Sequence, residues 1–177
     1  PCFMAIKTIF LDRDGVINKE VNYLHKIEDL EFIDGVFDAC VYFQSLGYQI
    51  IIITNQAGIA RGYFNKEDYY ALTNWMLKQF QLNGIKVLDI FYCPHGPNSA
   101  CNCRKPKPGM FLEADKIHRI NLKDSWMIGD KETDIQAAHK AGIEKTILVK
   151  SGHPIDMNNS KSMFIIDSIK EAIKIIT

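Results

Sequence analysis

Short apolar runs alternate with amphipathic stretches along the whole 177-residue chain. Ile6 to Leu11 is largely apolar and stops abruptly at Asp12, which predicts a strand. Gln49 to Ile53 is the densest β-branched stretch and predicts a central strand buried on both faces. Val87–Tyr92, Trp126–Ile128, Thr146–Val149 and Phe164–Ile166 predict four more strands. Helical patterns fill the intervals. Asp34–Leu46 has Asp34 as a candidate N-cap and Gly47 just past its end. Asn65–Leu82 is closed by Asn83-Gly84, Gly109–Arg119 follows Pro108, Glu132–Ala141 runs into Gly142, and Ser168–Ile176 ends the chain. This alternation predicts an α/β fold, a parallel sheet with helices on both faces. No repeat, low-complexity segment or linker interrupts it, so residues 1–177 are expected to form a single domain.

The polar positions matter most where strands end, because ligands of such sheets bind beyond the carboxyl ends of the strands. Asp12 and Asp14 follow the first strand two residues apart, a spacing that lets both face one volume while Arg13 points elsewhere. Gly15 then lets the backbone turn away. Paired acids there suit metal binding or nucleophile-plus-acid chemistry, and they are also ordinary turn residues. Thr54-Asn55-Gln56 follows the second strand, Arg104-Lys105 the loop after the third, and Gly129 to Asp134 the fourth. Each group alone reads as a cap or turn. Four in order predict one shared crevice.

Composition narrows the function. Hydrophobic residues make up 47% and charged residues 24%, as in globular domains. With 21 basic and 21 acidic residues and no basic aromatic stripe, nucleic acid is not an expected partner. No apolar run approaches a membrane span, so no membrane partner is expected either. The opening Pro1-Cys2-Phe3-Met4 lacks the pattern of a secretory signal, Met4 is the expected natural start, and the expected location is cytoplasmic. Five cysteines are an odd number, and three cluster. Cys93, His95, Cys101 and Cys103 supply three thiols and an imidazole in a loop of Gly, Pro, Asn and Ser, which predicts a structural, four-coordinate Zn²⁺ site. Cys40 lies in a helical pattern and reads as a small core residue.

The four strand-end segments resemble the signature motifs of the haloacid dehalogenase superfamily of phosphotransferases: Asp-x-Asp, a Thr after strand two, Lys-Pro, and Gly-Asp with a further acid. The resemblance implies a Rossmann-like three-layer sandwich with a central parallel sheet and no large cap domain. It implies that Asp12 attacks phosphorus to form an aspartyl-phosphate and that Asp14 serves as acid and then base. Mg²⁺ would be held by Asp12, the Asp14 carbonyl and Asp130, with Thr54 and Lys105 binding the transferring oxygens. Asp134 would orient Lys105 or a metal-bound water, or merely start a helix.

The zinc loop resembles two branches of that superfamily, the heptose-1,7-bisphosphate 7-phosphatases and the histidinol-phosphate phosphatases. Asp12–Asn18, Tyr23-Leu24-His25, Phe32–Val36, Thr54–Gly62, Cys103–Met110 and Gly129–Ala138 all look like the first. That resemblance implies Mg-dependent removal of the 7-phosphate in nucleotide-activated heptose and lipopolysaccharide biosynthesis by a monomer. Arg104 and Lys131 would recognise the substrate, with Glu20 to Tyr23, Asn55 and Gln56 lining the pocket. The interval between His95 and Cys101 is shorter than in many heptose phosphatases, and the histidinol branch shares that feature. Histidinol-phosphate hydrolysis and a non-catalytic zinc-loop binding module therefore stand as alternatives. A true dehalogenase ranks below both, since it needs neither Mg²⁺ nor a second acid at position 14.

Overall fold

The computed structural model describes residues 4–177, so the expectation about the segment before Met4 lies outside the described residues. Six strands form one sheet: β1 (Thr8–Leu11), β2 (Gln49–Asn55), β3 (Val87–Cys93), β4 (Trp126–Gly129), β5 (Lys145–Val149) and β6 (Phe164–Ile166). All pairings are parallel and the order is β3-β2-β1-β4-β5-β6. Among the described residues, four α-helices link the first five strands: α1 (Val36–Ser45), α2 (Lys66–Leu82), α3 (Gly109–His118) and α4 (Glu132–Ala141), and a loop joins β5 to β6.

Period-two alternation sends successive side chains to opposite faces, and the two faces carry separate cores. Ile9, Leu11, Ile50 and Ile52 pack with Val36, Phe43, Met76 and Phe80 of α1 and α2. Phe10, Ile51 and Ile53 pack with Met110, Phe111, Ala137 and Ala138 of α3 and α4. This is the expected three-layer, Rossmann-like sandwich, and β2 is buried on both faces as its sequence predicts. Among the described residues, no helix is long and apolar enough to cross a membrane.

Three local expectations change. Asp34 does not cap α1. Gly35 holds that position at φ 83°, while Asp34 is exposed and pairs with Lys170 at 3.0 Å. A Cβ at Gly35 would lie 2.8 Å from Lys170 Cγ, so the tight entry of the chain onto the C-terminal segment requires glycine. The last segment is a 3-10 helix over Ile169–Lys174 rather than an α-helix over Ser168–Ile176. It is short, and its buried Ile169 and Ala172 stand three residues apart, a spacing that eclipses in a 3-10 turn. Arg13 also departs from its expected direction, as described below.

The order of strands decides where a site can form. From β1 the chain moves outward through β2 to β3, then returns to the other side for β4 to β6. β1 and β4 are therefore neighbours at the switch point, where their outgoing loops part and leave a crevice. Asp12 N donates to Ile128 O at 3.1 Å, which carries the β1–β4 pairing up to the rim of that crevice.

Candidate active site

A crevice of about 370 Å³ opens at the switch point, within the size range of small-molecule sites. Its floor holds Asp12 from β1, Lys105 from the loop after β3, and Asp130 and Asp134 after β4. Lys105 is buried, and its Nζ lies 2.7 Å from Asp134 Oδ1 and 3.2 Å from Asp12 Oδ1, and donates to Ile53 O at 2.9 Å. Asn55 clamps the Lys105 backbone from both sides: its Oδ1 accepts from Lys105 N at 3.1 Å and its Nδ2 donates to Lys105 O at 3.3 Å. Asp134 Oδ2 accepts from Asp130 N and Lys131 N at 3.0 and 3.1 Å. Both Asp134 oxygens are thus engaged, one by Lys105 and the other by backbone N–H groups at the start of α4.

Three buried carboxylates around one ammonium leave an excess of negative charge. Burial first, then the charge on Asp134, push the Asp12 carboxyl well above its ordinary pKa, while Lys105 opposes. Burial and Asp134 likewise raise Asp130, while His153 opposes. Asp12, Asp130 and Asp134 each present an oxygen within 4.8 Å of the others, and Asp130 Oδ1 is buried without a hydrogen-bond partner. A hard divalent cation fits this donor set, since it takes carboxylate oxygens and favours the ionised form of both raised acids. Asp12 and Asp130 are the two acids with oxygens to offer it.

The Asp14 side chain lines the same crevice but is not one of those three acids. Instead of pointing elsewhere, Arg13 folds back onto Asp14. Its Nε donates to Asp14 Oδ1 and its Nη2 to Oδ2, both at 3.1 Å. Asn18 Nδ2 and Gln56 Nε2 add donors at 3.0 and 3.2 Å. Burial explains the reversal: Arg13 is 2% exposed, and a buried guanidinium has to pair with a nearby acid. Arg13 Nη2 also reaches Leu24 O at 3.3 Å, tying the first motif to the segment after it. Thr54 is buried beneath the crevice, its hydroxyl accepting from Gln56 Nε2 at 2.9 Å.

The rim is cationic. Arg104 and Lys131 line it as the sequence predicts, and Arg61 joins them. Arg61 Nη1 donates to Tyr23 Oη at 2.9 Å, and the Tyr23 ring stacks on Tyr63 with centroids 4.2 Å apart. Glu20, Val21 and Asn22 complete that wall. Burial, followed by the Asp14 charge, raises the Glu20 carboxyl above its ordinary pKa.

Cys93, His95, Cys101 and Cys103 converge beside the rim, with ligand atoms all within 4.8 Å. Cys93 Sγ is 3.4 Å from His95 Nδ1 and 3.7 Å from Cys101 Sγ, and His95 Nδ1 is 3.3 Å from Cys103 Sγ. Tetrahedral ligands about 2.0–2.3 Å from a zinc ion would stand roughly 3.5–3.8 Å apart, so these three separations suit it. The Cys93–Cys103 separation, 2.7 Å, is shorter. Arg104 Nη1 donates to His95 O at 3.3 Å, so this cluster also holds the guanidinium at the rim.

Comparison with known proteins agrees with this arrangement. Residues 102–172 match the Hydrolase_like family, described as HAD-hydrolase-like. The D-glycero-alpha-D-manno-heptose-1,7-bisphosphate 7-phosphatase of Photorhabdus laumondii is 52% identical over 156 residues, covering 84% of this chain and 85% of that protein. The D-glycero-beta-D-manno-heptose-1,7-bisphosphate 7-phosphatase of Vibrio cholerae is 44% identical over 176 residues, covering 95% of each. The chain belongs to this phosphatase family, within the haloacid dehalogenase superfamily. The crystal structure of D,D-heptose 1,7-bisphosphate phosphatase from B. bronchiseptica, complexed with magnesium and phosphate, matches with a TM-score of 0.83 at 28% identity. The match covers 96% of this chain and 97% of that one.

Against the family's motifs, three residues of the site went unread in the sequence. Arg13 and Arg61 sit inside recognised segments but carry no chemistry by spacing alone. His153 lies in Ser151-Gly152-His153, directly after β5, where strand-end position was the available signal. Its Nδ1 stands 2.5 Å from Asp130 Oδ2.

Proposed function

We propose that the protein is a Mg²⁺-dependent phosphomonoesterase that removes the 7-phosphate of D-glycero-D-manno-heptose 1,7-bisphosphate through an aspartyl-phosphate. The observation that carries this reading is Asp12 paired with buried Lys105 on the floor of a crevice whose rim holds Arg61, Arg104 and Lys131. A phosphate monoester dianion repels an anionic nucleophile, so positive charge has to surround it. Mg²⁺ held by Asp12, the Asp14 carbonyl and Asp130 would supply part of that charge and polarise the phosphoryl oxygens. Lys105 Nζ neutralises a further oxygen, and Thr54 with nearby backbone amides holds the others. Asp12 attacks phosphorus, and Asp14 gives a proton to the departing C7 alkoxide. Asp14 then takes a proton from water, whose oxygen attacks phosphorus and returns Asp12 as carboxylate with inorganic phosphate. Arg13, Asn18 and Gln56 orient the Asp14 carboxylate as the base of the second transfer, and its acid role in the first requires that it take up a proton as substrate binds.

The second phosphate selects the substrate. Arg104 can bind it through two parallel donors and Lys131 as a point charge, so remote binding energy holds the terminal phosphate against Asp12. Histidinol phosphate carries an ammonium group and only one phosphate, so it offers the three rim cations no second phosphate to bind. The greater identity to the relative named for the α anomer, 52% against 44%, supports the α form as the preferred sugar. Zn²⁺ on Cys93, His95, Cys101 and Cys103 would be structural. We further propose that residues 1–177 act as one cap-less domain and as a monomer. The unpaired thiols of the zinc cluster support a reducing, cytoplasmic location.

The test is kcat/KM for both heptose anomers and for histidinol phosphate, on wild type and Arg104→Ala. The bisphosphate should be preferred, and Arg104→Ala should raise its KM and shrink the preference. A better rate on histidinol phosphate, or an unchanged ratio in the variant, would overturn the assignment.

A further inference from the structure

We propose that His153 is a positioning residue that fixes which oxygen Asp130 presents to the catalytic Mg²⁺. The inference rests on the metal-dependent reading above. The two oxygens of Asp130 differ completely in their surroundings. Oδ2 faces the His153 ring at 2.5 Å and accepts the His153 backbone N–H at 3.2 Å. Oδ1 is buried and has no hydrogen-bond partner among the described residues. The terminal torsion of an aspartate is broad and roughly two-fold, so an unpinned carboxylate exchanges its oxygens freely. Two donors on one oxygen end that exchange and leave the other, buried and without a partner among the described residues, free for a cation shared with Asp12.

The loop is built to bring the ring there. Ser151-Gly152-His153 leaves β5, and Ser151 Oγ donates to Gly15 O at 2.7 Å, anchoring the loop on the first motif. A Cβ on either Gly15 or Gly152 would overlap Asp130 Oδ2, so both glycines are needed for the loop to press against the carboxylate. On the far side of the ring, Nε2 stands 4.0 Å from Glu20 Oε1. The imidazole is thus held between two acids, one of them the metal ligand and the other on the substrate wall. Its Nδ1–H acts on the metal through Asp130 rather than by touching substrate. Such outer contacts to metal-ligating carboxylates change metal affinity by about 10–100-fold when removed.

The test measures Mg²⁺ binding by calorimetry on the zinc-loaded protein without substrate, so that it reads the metal site alone. His153→Ala should weaken Mg²⁺ binding by about 10–100-fold, with substrate KM at saturating Mg²⁺ close to wild type. His153→Asn places an amide N–H near the position of Nδ1–H and should recover most of the loss. If the alanine variant is unstable, His153→Leu keeps the bulk of the ring and should show the same weakening. Unchanged Mg²⁺ affinity in the alanine or leucine variant refutes the proposal. So does an asparagine variant as weak as alanine, or a raised substrate KM with Mg²⁺ affinity intact, which would make His153 a substrate contact. Wild-type protein that takes up no Mg²⁺ would instead overturn the metal reading itself, whatever its substrate.

Discussion

Lys105→Met tests the electrostatic core of the site in a quantity separate from turnover. Methionine fills the buried volume of the lysine stem but removes its charge. Burial opposes the charged form of Lys105, yet Asp12 and Asp134 together raise its pKa above the ordinary lysine value. A raised lysine stabilises the fold fully below the unfolded value of about 10.4, so assays at neutral pH read the whole contribution. Removing the cation leaves two buried carboxylates, each with only backbone donors: Asp134 keeps two, and Asp12 Oδ1 keeps Arg13 N at 2.7 Å. Breaking a buried ion pair in this way costs about 3–5 kcal/mol. At roughly 2–4 °C per kcal/mol for a chain of this size, the unfolding midpoint should fall by about 10 °C. Thermal and urea unfolding should be run in Mg²⁺-free buffer without chelator, so that metal held by the Cys93–Cys103 loop stays in place. Adding Asp134→Asn should restore part of the loss, because the asparagine oxygen still accepts from Asp130 N and Lys131 N while one stranded charge disappears. The coupling between the two substitutions should exceed about 1 kcal/mol. A loss below about 1 kcal/mol for Lys105→Met, or strict additivity of the pair, would show that the lysine does not hold the acids together.

Three further outcomes are expected. Asp12→Asn should abolish phosphatase activity while leaving the Mg²⁺-free unfolding midpoint at or above wild type, because it removes one of the crowded carboxylates. Residual turnover near wild type would exclude Asp12 as nucleophile. Because Asp12 and Asp130 carry raised pKa values, the Mg²⁺-free protein loses stability as pH climbs above about 4, and deprotonation is what Mg²⁺ needs. Saturating Mg²⁺ should therefore raise the midpoint more at pH 8 than at pH 5.5, with a stabilisation of about 2.7 kcal/mol at a hundredfold excess over Kd, and equal shifts would contradict this. Metal analysis should find one Zn²⁺ per chain, and Cys101→Ser should lower stability first. Its effect on kcat/KM should be secondary, through loss of the Arg104–His95 contact, and zinc-free wild-type protein would count against the site.

What the sequence determined by itself is what short-range spacing can encode. Strand and helix periods placed all six strands to within two residues. Cys93, His95, Cys101 and Cys103 were legible as one cluster because all four lie within a single loop. Capping was less legible. Asp34 is an acceptable cap by type, but the chain enters α1 through a left-handed residue and only Gly35 fits there beside Lys170. The acids are the clearest division. Spacing paired Asp12 with Asp14, whereas the three carboxylates that crowd together are Asp12, Asp130 and Asp134. That grouping follows from β1 and β4 lying side by side, a consequence of strand order that no local pattern carries. Arg13 folded back for a similar reason, since only the packed interior makes a solvent-facing guanidinium impossible at that point. His153 meets Asp130 across a separation of 23 residues through a loop with no signature of its own. Periodicity states which face a residue takes, and the sheet alone states what that face will meet.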